Sequence, residues 1–323
     1  MYRRPGDHSP QRRSSSEHLK YRFRQGARRK EVTETPPSEL SGALLVKDVD
    51  FHVTENCKNH HTDQFHIVEN GTLVIRRGQP FMVTLSFNEE FDASKHELKF
   101  MFLIGEDPLP SQKSDIRFGL TDKWYPEEWG AKLMTQKGNR ITVYIHPGCD
   151  AVIGEYDFLL EIATKGLKGN YVYDHPDPVY LLFNPWCKSD QVFMEDKSLL
   201  DEYVLNDSGY IYQGSGTSQI LAKPWNYGQF DEGILDISMF ILRQGFSEVG
   251  HQMSDPVRVS RAISQMTSTK TSLSAYHLSD EGGFWDIKSY CHRVICQMET
   301  RDYSDFVPRP TVCSVGLRKA PLS

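Results

Sequence analysis

The stretch Phe81-Met82-Val83-Thr84-Leu85-Ser86-Phe87 puts Phe81, Val83, Leu85 and Phe87 on one side of an extended chain and mostly smaller or polar groups on the other. Successive side chains of a strand point to opposite faces, so this period of two predicts a strand with one buried face. The reading extends outward. Leu98, Phe100, Phe102 and Ile104 alternate in the same way, as do Ile141, Val143 and Ile145, and Tyr156, Phe158, Leu160 and Ile162. Turn-forming residues separate these runs: Gly78-Gln79-Pro80, Asp107-Pro108-Leu109-Pro110, Gly138-Asn139 and Pro147-Gly148. Short strands from about residue 43 to 184, with no helical period between them, predict a mainly β fold, an immunoglobulin-like antiparallel β-sandwich. Alternation alone does not specify the strand order.

After Asn184-Pro185-Trp186 the period changes. Residues Lys197 to Leu205 read as a short helix. Asp231 then opens a stretch containing Ile234, Leu235, Ile237, Met239, Phe240, Ile241 and Leu242 that closes at Gly245. A helix apolar on nearly every side is a buried one, so other elements must cover it. Asp255-Pro256 supplies an N-cap and first-turn proline for a further helix carrying Val259, Ile263 and Met266.

The chain has 323 residues, of which 38% are hydrophobic and 25% charged, enough for one large or two ordinary globular domains. No apolar run approaches the ~20 residues of a membrane span, and the basic start lacks the apolar core of a signal peptide. A cytoplasmic protein without a transmembrane segment is the resulting expectation. The net charge of −6 conceals an uneven distribution, because residues 1–42 hold 10 Lys and Arg against 5 Asp and Glu. This basic head is too poor in apolar groups to offset its ordering entropy and is expected to be disordered, a solvated tail with no specific nucleic-acid partner. The six cysteines, at 57, 149, 187, 291, 296 and 313, lack zinc-site spacing and read as reduced thiols. Asn70-Gly71-Thr72 and Asn206-Asp207-Ser208 are glycan acceptors only in a secreted chain.

Six segments resemble animal transglutaminase sequence, in order and spacing: HHTD at His60–Asp63, RRGQPF at Arg76–Phe81, FNPWC at Phe183–Cys187, EYVLNDSGYIYQGS at Glu202–Ser215, WNYGQFDEGILD at Trp225–Asp236 and DPVRVSRAISQM at Asp255–Met266. The resemblance implies an amino-terminal β-sandwich over 43–184 and an incomplete fragment of an α/β papain-like catalytic core over 185–266. It stops at Met266, and residues 267–323 are expected to be an unrelated, disordered tail. In the family the continuation holds an Asn/Asp-rich calcium loop, a Trp that stabilises the oxyanion and the cysteine motif YGQCWVF. Here TSTKTSL stands in that place, and YGQCW occurs nowhere. Such an edge is what an alternative exon, a retained intron or a misjoined gene model leaves.

The family cross-links proteins with calcium, forming glutamine-lysine isopeptide bonds through a cysteine thiolate. That chemistry needs a Cys of depressed pKa beside an oriented His, oxyanion donors and oxygen ligands for calcium. The expectation is therefore no catalytic, cofactor-binding or metal residue in this chain, and a role at most as a binding module. By resemblance, matrix or cytoskeletal proteins would be its partners. The alternative is that the sequence is part of an active protein-glutamine gamma-glutamyltransferase. Cys187 reads as a packing or surface thiol, and Cys291-His292 as sequence neighbours without triad geometry. Cys57, His60, His61 and His66 lie close in sequence, but HHTD is expected to lead into a sandwich strand instead of holding a metal. Trp225, Tyr227 and Phe230 read as core and interface aromatics.

Overall fold

The computed structural model describes residues 42–105, 107–214, 220–226, 229–236, 238–239, 242–243, 254–256 and 258–259. The basic head, the tail from 267 with Cys291, His292, Cys296 and Cys313, and Tyr227, Ile263 and Met266 lie outside them. The strands are β1 (Val46–Asp50), β2 (Leu73–Arg76), β3 (Phe81–Phe87), β4 (His96–Leu103), β5 (Asp115–Gly119), β6 (Gly130–Lys137), β7 (Arg140–His146), β8 (Gly154–Thr164), β9 (Asn170–Asp174) and β10 (Val179–Leu182). They form two sheets, one in the order β1-β3-β7-β6 and one in the order β2-β10-β8-β4-β5, with β9 also on β8. A separate hairpin follows, β11 (Ser208–Gly214) with β12 (Ile220–Asn226).

The alternating positions form the shared core. Phe81, Val83, Leu85, Ile141, Val143 and Ile145 of the first sheet and Phe100, Phe102, Tyr156, Phe158, Leu160 and Ile162 of the second belong to one buried cluster. Phe81 and Phe102 meet edge to face across it at 6.4 Å. Each such buried side chain contributes roughly 1.5–3 kcal/mol, so the two facing layers supply most of the favourable free energy of folding. Gly138-Asn139 closes a two-residue hairpin that pairs Lys137 with Arg140, with Gly138 at φ 59° as a primed turn requires.

Two features depart from the expectation. The β2–β10 pairing is parallel, with Leu73 opposite Val179 and Arg76 opposite Leu182. Two short helices also interrupt the strands, α1 (Val53–Asn59) and α2 (His66–Glu69). HHTD accordingly closes a helix and does not lead directly into a strand: His60 is the C-cap of α1, and α2 intervenes before β2. Thr62 ties the segment down, its hydroxyl donating to the carbonyls of Val74 at 2.6 Å and Cys57 at 3.1 Å.

Beyond β10, helix α3 (Lys197–Leu200) runs into a π-helical turn over Asp201–Leu205, matching the helix expected at 197–205. Asp196 caps it by accepting from the Ser198 amide at 2.8 Å. Residues 234–236, 238–239 and 242–243 are helical. Leu235, Met239 and Leu242, with Val259, are buried in the same cluster as the sandwich core. The sandwich itself therefore covers part of the apolar helix; Ile237, Phe240 and Ile241 lie outside the described residues. Tyr180 of β10 donates to Asp236 at 2.9 Å and Arg243 to Glu155 of β8 at 3.1 Å, which fixes the helix on the sheet that holds β8 and β10. Asp255 caps the next helix as predicted, accepting from the Arg258 amide at 3.3 Å.

Candidate functional site

Three of the segments picked out in sequence, HHTD, RRGQPF and FNPWC, converge at the end of β2. Arg77 is 1% exposed, and the burial of a charge is costly unless it is paired and fully hydrogen-bonded. Its Nε and Nη2 donate to Asp190 Oδ2 and Oδ1 at 2.6 and 2.7 Å, and Nη1 donates to the carbonyls of Ala151 and Ser254 at 2.8 and 2.9 Å. The guanidinium carbon sits 4.5 Å from the Phe183 ring centroid. Asn184 completes the joint: its amide NH2 donates to the Arg77 carbonyl at 2.9 Å, and its backbone N–H donates to Asp190 at 2.9 Å. One arginine thus ties the loop after β7, the turn at 184–190 and the stretch at 254 together.

Among the described residues, the guanidinium of Arg76, equally buried, donates its hydrogen bonds to carbonyls. Nε donates to His60 O at 2.8 Å, Nη1 to Phe183 O at 2.9 Å and Nη2 to His61 O at 3.3 Å. Burial pulls its guanidinium down to about 9, against the opposing pull of Asp190, so it remains charged at neutral pH. Its charge and the desolvation of the ring, the latter the larger, push His60 down to about 3. His60 is therefore neutral, with Nδ1 accepting the Arg76 amide at 2.9 Å. Trp186 closes the outer side, stacked on His61 at 4.4 Å with the Arg76 guanidinium 5.0 Å from its ring.

The histidines and thiols whose chemistry suits a ligand or nucleophile go to separate partners. Cys57 is buried, and its thiol donates to Val74 O at 3.4 Å; desolvation raises its pKa, the direction opposite to that of a nucleophile. His66 is half exposed, 3.6 Å from Glu69. Cys187 is half-buried beside Gly78, in keeping with a packing role. Among the described residues, no group of three or more His, Cys, Asp or Glu side chains is placed to hold a metal ion. Phe230 packs edge to face on Phe65 at 5.1 Å, as a core aromatic does.

A second surface lies at the edge strand β6. Trp124, Tyr125, Leu133 and Met134 are all substantially exposed there. A groove of about 210 Å³ is lined by Phe118, Thr121, Trp124, Tyr125 and Trp129, and one of about 270 Å³ by Trp124, Lys132, Met134 and Tyr144. Trp124 stacks on His146 at 5.4 Å between them. No sequence period marks these residues, because exposed apolar groups on a strand edge look like any other strand residue.

These elements define a two-sheet β module to which the turn after β10 is tied by a buried arginine-carboxylate pair. The transglutaminase family profile matches residues 47–163. Human protein-glutamine gamma-glutamyltransferase K is 34% identical over 232 residues, covering 71% of this chain and 27% of that protein. Annulin of Schistocerca americana is 34% identical over 226 residues, covering 68% of this chain and 29% of annulin. The crystal structure of red sea bream transglutaminase shares the fold with a TM-score of 0.62 and 24% identity, over 78% of this chain and 42% of that one. The chain belongs to the transglutaminase family, and it spans under a third of the length of these two curated relatives. No helix among the described residues is long and apolar enough to cross a membrane.

Proposed function

We propose that this chain acts as a non-catalytic binding module of the transglutaminase family, its sandwich presenting a protein-docking surface at the β6 edge. The observation that supports this is the exposure of Trp124, Tyr125 and Met134 on the walls of two grooves that share Trp124. Large apolar and aromatic side chains clustered on a surface favour protein contacts. The partners fitting the family resemblance are matrix or cytoskeletal proteins. The test is binding of the purified chain to a panel of such proteins, beside Trp124→Ser and Met134→Glu variants of matched thermal stability. Loss of at least tenfold in affinity in both variants supports the reading; equal binding by all three chains overturns it.

A second reading is favoured by the Arg77–Asp190 joint, which holds the turn at 184–190 and the Ser254 carbonyl against the sandwich as a catalytic neighbour would need. In that reading the sequence represents the amino-terminal part of an active, calcium-dependent glutamine gamma-glutamyltransferase. Sequencing transcripts across the Met266 codon separates the two. Junctions to a calcium loop and a YGQCW motif support the second, and continuous reading into TSTKTSL supports the first.

A further inference from the structure

Beside the Arg77 joint two cysteines flank Gly78. A Cβ placed on Gly78 would lie 2.8 Å from Cys187 Sγ and 3.1 Å from Cys149 Cβ, so the two cysteines border the space that any side chain at residue 78 would occupy. Their backbones are held from several directions. The Gly78 amide donates to Pro147 O at 2.9 Å, the Cys149 amide to Pro126 O at 2.8 Å and the Cys187 amide to Asn184 O at 3.1 Å. The Cys187 thiol faces the Gly78 carbonyl at 3.9 Å. Burial, and then the neighbouring Cys187, raise the pKa of Cys149. Cys187 is half-buried and Cys149 is buried, so a small oxidant meets Cys187 first. Cys57, the other described thiol, is engaged elsewhere, on the Val74 carbonyl.

We propose that Cys149 and Cys187 are a redox pair that closes to a disulfide when the protein meets a peroxide. The Cys187 thiolate attacks one oxygen of hydrogen peroxide; the O–O bond breaks, a sulfenic acid forms and hydroxide leaves. The Cys149 thiolate then attacks the sulfenic sulfur; the S–S bond forms, the S–O bond breaks and a second hydroxide leaves. Each hydroxide takes up the proton one thiol gave to solvent, so two thiols lose two electrons in total and one peroxide becomes two waters. Gly78 contributes no side chain to the space between the two cysteines, so none at that residue stands in the way of the bond. The bond staples the loop after β7 to the turn at 184–190, the same two segments that Arg77 joins by ion pair and hydrogen bond. It therefore makes the attachment of the sandwich to its neighbour independent of that ion pair. The inference stands apart from the docking proposal, since neither groove includes either cysteine.

The test uses the full chain, treated with hydrogen peroxide, alkylated to block remaining thiols, digested without reduction and analysed by mass spectrometry. The expected product is the Cys149 peptide joined to the Cys187 peptide, two hydrogens lighter than the two together and released by dithiothreitol. Cys149→Ser should leave Cys187 as a sulfenic acid that a dimedone probe captures, while Cys187→Ser should leave Cys149 alkylatable. Recovery of both thiols as alkylated peptides overturns the proposal, as does preferential linkage of Cys187 to Cys57, Cys291, Cys296 or Cys313. The wild-type linkage map decides the matter even where a serine variant folds poorly.

Discussion

Arg77 and Asp190 meet in a two-point ion pair at 2.6 and 2.7 Å, both side chains buried, and join β2 to the turn that follows β10. Removing one member of such a pair leaves the other charge buried and uncompensated, which costs about 3–5 kcal/mol. Asp190→Ala is expected to lower stability by that order in urea unfolding. Arg77→Lys should cost a comparable amount because an ammonium cannot reproduce the planar two-point contact. A loss under about 1 kcal/mol for Asp190→Ala would show that the pair is dispensable.

His60 makes the fold sensitive to acid. Its folded pKa of about 3 lies below the ordinary 6.5, so between those values the unfolded chain binds the extra proton and the native one does not. Stability from this group is full above pH 6.5 and is lost as the pH falls toward 3, by an amount on the order of a few kcal/mol. His60→Asn keeps an acceptor near Nδ1 but cannot titrate, so its unfolding free energy should be flatter between pH 6.5 and 5 than that of the wild type. Parallel profiles in that window would mean that His60 is not the sensor.

Gly78 combines a φ of +69° with the two neighbouring cysteines. Gly78→Ala should cost about 1–3 kcal/mol, from left-handed backbone strain and from displacement of the Cys187 sulfur. Adding Cys187→Ala clears the sulfur and should restore part of the loss, a coupling that a double-mutant cycle reads directly. At Gly148 a Cβ would overlap the Glu127 carbonyl, a backbone obstacle that no side-chain substitution removes. Gly148→Ala should therefore resist any such rescue.

Truncation after residue 184 tests whether the sandwich is complete without its neighbour. It removes Asp190 from Arg77 and strips Leu235, Met239, Leu242 and Val259 from the shared core. The shortened chain is expected to melt at a lower temperature than the full one, and limited proteolysis of the full chain should leave a fragment that extends past Asp190. A protease-stable core ending before residue 185, with an unchanged melting temperature, would contradict this.

The binding-module reading entails no amine incorporation into a glutamine substrate at any calcium concentration. Fluorescent cadaverine transfer to casein is a direct measure. Calcium-dependent labelling that disappears on substitution of a single cysteine would make the chain an enzyme.

Strands β3, β4, β7 and β8 were legible in sequence because each has one face on the core and one outside it. Strands β2 and β10 were not, since all four positions of LVIR and of VYLL are buried and burial on both faces erases alternation. Helix α1 has seven residues and follows an N-cap, His52, whose side chain makes no capping hydrogen bond, so neither a long period nor a capping residue marks it. The resemblance brought HHTD, RRGQPF and FNPWC to notice, but nothing in their wording says that they meet. Adjacent arginines normally read as a solvated face; the carboxylate that buries Arg77 stands far along the chain at Asp190. The β6 edge surface is legible only after strand order makes β6 an edge.

The parallel pairing of β2 with β10 also sets a schedule for biosynthesis. β2 stands at the edge of its sheet with β10 as its neighbour, and Leu73 finds Val179 only after the whole of the intervening chain has emerged. At roughly 5–20 residues per second, β2 waits on the order of 5–20 s on the ribosome with its backbone unpaired. Closing so long a loop is entropically costly, so this strand joins late while the hairpin of β6 and β7 can form at once from local contacts. Arg76 and Arg77, at the end of β2, remain hydrated throughout that interval, and their dehydration marks the moment at which β2 and the turn after β10 lock together.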